Sequence, residues 1–186
     1  MTEADRRRWN SRYRAQKAAM GHNTVALPDR VLVEVTRSLA PGRAVDVACG
    51  MGRNALWLAR QGWQVDAIDI AREALEELRQ AAESRMLDRL FIMEEDLDAW
   101  RPAPNTYDFG TMVLFWDPRV LAHLKRAVRP GGLVLVRSLL APSGQPDVGP
   151  HYLRPGELRE WFKGWTIRHN LEDEGMAMIL AVRPLD

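Results

Sequence analysis

From about residue 43 onward, short apolar runs alternate with stretches whose apolar residues recur every three to four positions. The first run, 44–48, ends in Cys49-Gly50-Met51-Gly52 and predicts a strand that turns sharply into a helix over 53–61. Ala55, Leu56, Leu58 and Ala59 form the inward stripe of that helix, and Gly62 is its stop signal. Residues 64–69 predict a second strand, followed by a helix with Ala74, Leu75, Leu78 and Ala82 on one face. Residues 89–94, 107–115 and 133–139 predict three more strands. The fourth is almost wholly apolar from Phe109, the pattern of a strand covered on both faces. Val120, Leu121, Leu124 and Val128 mark a helix stopped by Pro130-Gly131-Gly132. Repeated strand-helix-strand order gives a doubly wound three-layer α-β-α sandwich around a mostly parallel sheet.

The C-terminal end departs from that alternation. Residues 155–162 predict a short helix with Pro155 near its first turn. Two strand-like runs follow, 165–170 and 176–183, separated only by Leu171-Glu172-Asp173-Glu174-Gly175. That gap is too short for a parallel crossover, which needs about a dozen residues. The last two strands are therefore expected to be antiparallel, as a hairpin or with one inserted beside its neighbour, in a seven-stranded sheet.

Composition narrows the class without naming it. The chain has 186 residues, 46% hydrophobic, with 26 Lys+Arg against 25 Asp+Glu, so bulk charge argues against a nucleic-acid coat protein. No apolar run is long enough to span a membrane. The single cysteine, Cys49, cannot form an internal disulfide, and no Cys/His cluster has zinc spacing, so no metal is expected. No signal-peptide pattern follows the charged N-terminus. The expectation is one cytoplasmic domain over 1–186, with an N-terminal helical cap at 1–40 and a core at 41–186. Residues 1–20 carry Arg6, Arg7, Arg8, Arg12, Arg14 and Lys17 against Glu3 and Asp5, read as a solvated helix face rather than a nucleic-acid surface.

Candidate chemistry gathers at the carboxyl ends of the first strands, where open parallel sheets bind ligands. Gly50 and Gly52 allow positive φ and close approach of backbone to a ligand, or simply make an ordinary tight turn. Asp69 lies seventeen residues beyond Gly52 at the end of the second strand, suited to ribose hydroxyls or to capping the helix from Ala71. Gly50-x-Gly52-x-x-Ala55 also matches a dinucleotide fingerprint. Asp46, inside the first strand, suits a cationic ligand group better than a pyrophosphate, or is a buried acid bonded to loop amides.

Residues 45–52 resemble the first motif of class I S-adenosylmethionine-dependent methyltransferases. The likeness continues through 65–69, Glu95-Asp96-Leu97, Tyr107-Asp108-Phe109 and the 124–132 run, which is similar to that family's L-x-x-x-L-K-P-G-G segment. Arg8-Trp9-Asn10-Ser11-Arg12-Tyr13, Gly52-Arg53-Asn54 and the 153–165 segment resemble its tellurite-resistance and thiopurine-methyltransferase-like group. Ala48 stands where the family more often has glycine, and alanine is expected to be tolerated with an extended, negative φ.

The resemblance implies a Rossmann-like methyltransferase fold and S-adenosylmethionine as cofactor, with S-adenosylhomocysteine as product. It puts Asp46, Ala48, Gly50, Gly52 and Asn54 around the methionine end. Asp69 falls on the ribose, Ile70, Asp96 and Leu97 on the adenine, and Val113 and Leu114 beside the sulfonium. For Asp96 the plain alternative is a turn residue before Asp98. Trp9 and Tyr13, at i and i+4 on one helix face, together with Phe115 and Trp116, are expected at the acceptor, although the first pair would equally anchor its helix. Candidate bases are His22, Asp117, His151 and Tyr152. The expected activity is in-line methyl transfer to a small molecule, by a monomer or homodimer. The rivals are an NADP-binding oxidoreductase and a non-catalytic S-adenosylmethionine-binding regulator.

Overall fold

The protein is described here by a computed structural model covering residues 2–20, 26–142 and 151–185. His22, one of the candidate bases, lies outside those residues. The chain divides into two compact units, Met1–Trp100 and Arg101–Asp186.

The first unit opens with α1 (Glu3–Met20) and α2 (Arg30–Thr36), then alternates β1 (Arg43–Val47), α3 (Arg53–Arg60), β2 (Gln64–Asp69), α4 (Arg72–Glu83) and β3 (Leu90–Glu94). β1 pairs parallel with β2, and β2 parallel with β3. The apolar stripes predicted for the two helices are buried: Ala55, Leu56, Leu58 and Ala59 on α3, and Ala74, Leu75, Leu78 and Ala82 on α4. α2 has too short a pattern to be predicted. Its start is fixed by Asp29, whose carboxylate accepts from the amides of Val31 and Leu32, satisfying donors that a helix end leaves free.

The second unit contains β4 (Tyr107–Val113), α5 (Pro118–Ala127), β5 (Val128–Leu139), α6 (Glu157–Trp161), β6 (Thr166–Asp173) and β7 (Met176–Val182). β4 stops two residues earlier than its apolar run suggests, because Leu114 turns the backbone to φ 59°. β5 begins five residues earlier than predicted. The Pro130-Gly131-Gly132 run that reads as a helix stop lies inside the strand, with Gly131 at φ 75° and a register shift against β4 between Tyr107 and Phe109. Gly132 is needed there: a Cβ would come within 2.6 Å of Val128 and 2.9 Å of the Asp108 carbonyl.

The strands form one seven-stranded sheet in the order β3-β2-β1-β4-β5-β7-β6. β7 pairs antiparallel with both β5 and β6. The two alternatives for the C-terminal strands therefore hold together: they form a hairpin, and its second strand is inserted beside β5. β7 is buried at every position from Ala177 through Ala181, whereas β6 at the sheet edge is mostly exposed. No helix among the described residues is long and apolar enough to cross a membrane.

Candidate functional site

Two of the first unit's buried acids, Asp46 and Asp69, flank the turn that follows β1. Asp46 is only 1% exposed, and its Oδ2 has no hydrogen-bond partner. Burial raises its pKa to about 7; the Ala55 amide and the Arg53 guanidinium oppose the shift, and Asp69 adds to it. An acid with one unsatisfied oxygen in such surroundings is costly unless a cation or donor completes it.

Asp69 is also buried, but both its oxygens are engaged. Oδ2 accepts from the Gly50 amide at 2.8 Å, and Oδ1 from the Ala71 amide at 2.8 Å. The carboxylate thus braces the glycine turn and the entrance to α4 at once. Burial pushes its pKa up, against the pull of the Ala71, Gly50 and Ile70 amides. Each oxygen keeps a second lone pair, so these bonds leave room for hydroxyl donors.

The turn itself is tighter than the sequence suggests. Gly50 and Gly52 have φ 55° and 75°, and Ala48 also lies in the left-handed region, at φ 55°. The expectation of an extended Ala48 is therefore corrected. The Cys49 amide, one residue past it, still donates to the Ile68 carbonyl of β2 while the chain already bends toward Gly52, whose amide returns to the Cys49 carbonyl. Holding a Cβ in that region costs about 1–2 kcal/mol.

Gly52 is required for packing as well as for φ, since a Cβ would fall 2.2 Å from Leu78 Cδ1 of α4. At Gly50 a Cβ would fall 2.5 Å from the Tyr13 hydroxyl. Tyr13 of α1 therefore roofs the turn, and its ring centroid lies 6.1 Å from that of Trp9. Burial and the nearby Asp69, Cys49 and Asp46 push the Tyr13 hydroxyl pKa well above its usual value, with Arg12 opposing. Burial and the same two acids likewise raise the Cys49 thiol.

α1 rests on the first unit through polar contacts. Arg14 pairs with Glu73 at 2.6 Å, Arg6 with Glu94 at 2.8 Å, and Lys17 with Glu77, while the Glu73 amide donates to Asn10 Oδ1.

Other predicted residues are occupied by the fold. The buried Asn54 accepts from the Asp29 amide at 2.8 Å, tying α3 to the start of α2, a role that needs the three-dimensional neighbour to be seen. Asp96 accepts from the Asp98 amide at 2.9 Å, the turn contact foreseen as its alternative. Ile70 and Leu97 are buried.

In the second unit, Val113 is buried and Leu114 exposed; the Leu114 amide donates to the Arg137 carbonyl at 2.7 Å. Phe115 is half-buried and Trp116 fully buried, the latter edge-on to Trp161 at 6.3 Å. Asp117 is the N-cap of α5, accepting from the Arg119 and Val120 amides and pairing with the Arg119 guanidinium at 2.8 Å. Partial burial would raise its pKa, but Arg119 and those amides bring it below the usual carboxylate range. His151 is exposed and Tyr152 half-buried, just before Leu153, which bridges to Leu140. No cluster of metal-ligating side chains occurs among the described residues.

A mostly parallel seven-stranded sheet whose last strand is inserted antiparallel has the Rossmann-like architecture of class I methyltransferases. The structure superposes on that of TehB from Haemophilus influenzae with a TM-score of 0.75, covering 87% of this chain and 64% of that one at 22% identity. The chain belongs to the family described as "Tellurite resistance protein TehB", matching it over residues 17–178. Among its relatives, the "Probable S-adenosyl-L-methionine-dependent methyltransferase TehB" of Haemophilus influenzae is 26% identical over 163 residues, 83% of this chain and 56% of the relative. "Trans-aconitate 2-methyltransferase" of Rhodopseudomonas palustris is 35% identical over 114 residues, 59% of this chain and 43% of the relative. The chain thus spans about half the length of the curated relatives it matches.

Proposed function

We propose that this chain transfers the methyl group of S-adenosylmethionine to a small-molecule acceptor by in-line displacement, leaving S-adenosylhomocysteine. One observation carries the reading: the buried Asp46 oxygen without a partner, beside the glycine turn that Asp69 braces. That pattern fits a ligand with a cationic amino-acid end and a ribose. A pyrophosphate would meet the buried Asp46 beside the turn, which disfavours the NADP-binding oxidoreductase. Family membership and relatives named as methyltransferases support the same choice.

In this reading the bound cofactor supplies a methyl group already activated by the sulfonium charge. The chain's work is alignment and exclusion of water. Asp46 takes the ammonium group, and the spare lone pairs of Asp69 take the ribose hydroxyls. Ile70, Asp96 and Leu97 attend the adenine, while the backbone of Ala48, Gly50 and Gly52 follows the chain between. Asn54 acts through the turn, because its carbonyl holds α2 in register. Val113 and Leu114 line the cofactor, and Phe115 with Trp9 and Tyr13 border the acceptor. Trp116 supports from within the core. Asp117 is committed to its helix cap, leaving His22, His151 and Tyr152 as candidate proton acceptors for an oxygen or nitrogen nucleophile; a thiolate needs none.

The reading also takes residues 1–186 as one methyltransferase domain with 1–40 as its cap, cytoplasmic, monomeric or homodimeric, and without nucleic-acid or membrane partners. Near-balanced charge supports the last point.

Titration with S-adenosylhomocysteine and with NADPH tests the assignment. Micromolar affinity for the former is expected, and binding of NADPH alone would overturn it. Release of S-adenosylhomocysteine on incubation with S-adenosylmethionine and an acceptor panel separates the enzyme from a binding regulator.

A further inference from the structure

The two edges of the sheet are built differently. β6, at one edge, is mostly exposed, carries Arg168, His169, Glu172 and Asp173, and breaks register with β7 between Ile167 and His169. Charges and register breaks of that kind keep an edge from pairing with another chain. β3, at the other edge, has no such protection before Glu94. It reads Leu90-Phe91-Ile92-Met93, without Pro or Lys, in unbroken register with β2.

Its outer side is open. The Arg89 carbonyl accepts from the Val65 amide of β2, and the Glu95 amide donates to the Asp69 carbonyl. Odd-numbered positions therefore face β2, while Leu90, Ile92 and Glu94 turn their N–H and C=O groups outward. Phe91 is 47% exposed, and on the α4 side a groove of about 380 Å³ runs past Ala82, Met86, Leu90 and Ile92.

The strand is complementary to an antiparallel copy of itself. With Ile92 on a twofold axis, Leu90 lies opposite Glu94 of the second copy and the outward groups exchange ladder bonds. On the other face Phe91 meets Met93, a sulfur–aromatic pair, and Arg89 meets Glu95. Neither Arg89 nor Glu95 has an oppositely charged partner among the described residues; Arg89 makes one long bond, 3.4 Å, to the Gly62 carbonyl. Glu94 is matched by Arg6 at 2.8 Å, so placing it opposite Leu90 leaves its charge compensated. Turns at Asp88 and at Asp96, whose carboxylate accepts from the Asp98 amide, close the ladder at both ends.

We propose that β3 is a homodimer interface, on which a second copy of this chain adds its own β3 antiparallel about Ile92. The pairing is independent of the methyltransferase reading, and its test needs no ligand.

Sedimentation equilibrium across the micromolar range reads the oligomeric state, and hydrogen exchange at low and high protein concentration reads which amides pair. Dimer is expected, with the Leu90, Ile92 and Glu94 amides slowing as it forms. Arg89→Glu reverses two symmetry-related pairs and raises the dimer dissociation constant about tenfold. Glu95→Arg does the same, and the double variant Arg89→Glu/Glu95→Arg regains wild-type association. Ile92→Pro removes an outward N–H without touching the bonds to β2, and gives monomer. Circular dichroism checks each fold; Arg89 is exposed, so its variant keeps the test readable if Ile92→Pro unfolds. Wild-type protein that stays monomeric overturns the proposal, including the case in which β3 instead receives an extended segment of another protein. A dimer whose β3 amides exchange at the monomer rate, or a double variant no better than the single ones, overturns it as well.

Discussion

The chain leaves β1 through Ala48 at φ 55° and leaves β4 through Leu114 at φ 59°, so two strands end on a left-handed residue that carries a Cβ. Their surroundings differ. After Ala48 come two further left-handed residues, Gly50 and Gly52, enclosed by the buried carboxylates Asp46 and Asp69. Leu114 is 52% exposed, and its next acidic neighbour, Asp117, is fully committed to Arg119 and the amides of α5. The backbone strain is alike in the two places, about 1–2 kcal/mol each. Only the first holds a buried carboxylate oxygen without a hydrogen-bond partner. Strain therefore marks where a strand is forced to stop, and the unpartnered buried acid marks where a polar ligand is awaited.

Gly52→Ala is the harshest way to break this contrast. It adds a Cβ at positive φ and drives it into Leu78, for an expected loss of about 3 kcal/mol in urea unfolding. Wild-type stability in that variant would mean that α3 and α4 separate easily, against the packing described.

Asp46→Asn should cost about 2–3 kcal/mol of S-adenosylhomocysteine affinity by calorimetry, the value of a hydrogen bond to a charged group. The apo protein should move the other way. Because the folded pKa is raised from 3.8 to about 7, native protein holds a proton that unfolded chain has released between those values. Wild type consequently loses stability as pH rises from about 4 to 7, and Asp46→Asn should flatten that slope. Ligand binding at pH 6 should release a proton from Asp46, read as buffer-dependent heat. Buffer-independent heat would exclude an ammonium contact at this residue.

Asp69→Ala should weaken the same ligand by about 1–3 kcal/mol. It also strips the acceptors from the Gly50 and Ala71 amides, so a lower melting temperature should accompany the loss. Affinity equal to wild type in a folded variant refutes the ribose assignment.

The gentlest comparison sets Ala48→Gly against Leu114→Gly. Each relieves the left-handed conformation and each loosens the unfolded chain, leaving a net gain of about 0.5 kcal/mol. Similar gains at the two sites would show that the strain is equivalent; a gain at one alone would show that its neighbours hold the bend in place.

Much of this was legible in the residue pattern, for physical reasons. The alternation of strands and helices rests on periodicity, and the five residues between the two C-terminal apolar runs exclude a parallel crossover whatever the tertiary structure. Gly50, Gly52 and the two acids could be picked out because glycine conformations and charge burial are local constraints. Ala48 misled because alanine ordinarily avoids positive φ, and only pairing beyond β1 forces it there. The start of β5 misled because Pro130-Gly131-Gly132 ends helices far more often than it opens a strand. The bond from Asp29 to Asn54 and the placing of Tyr13 on Gly50 join residues distant in the chain, and no local signal announces them.

The insertion of β7 between β5 and β6 bears on how the molecule is made. A nascent polypeptide emerging as far as Asp173 holds β6 with nothing to hydrogen-bond, because the strand that joins it to the rest has not left the ribosome. Completion of that half of the sheet waits on synthesis of β7, and premature termination ahead of Met176 removes an interior plank rather than a border one.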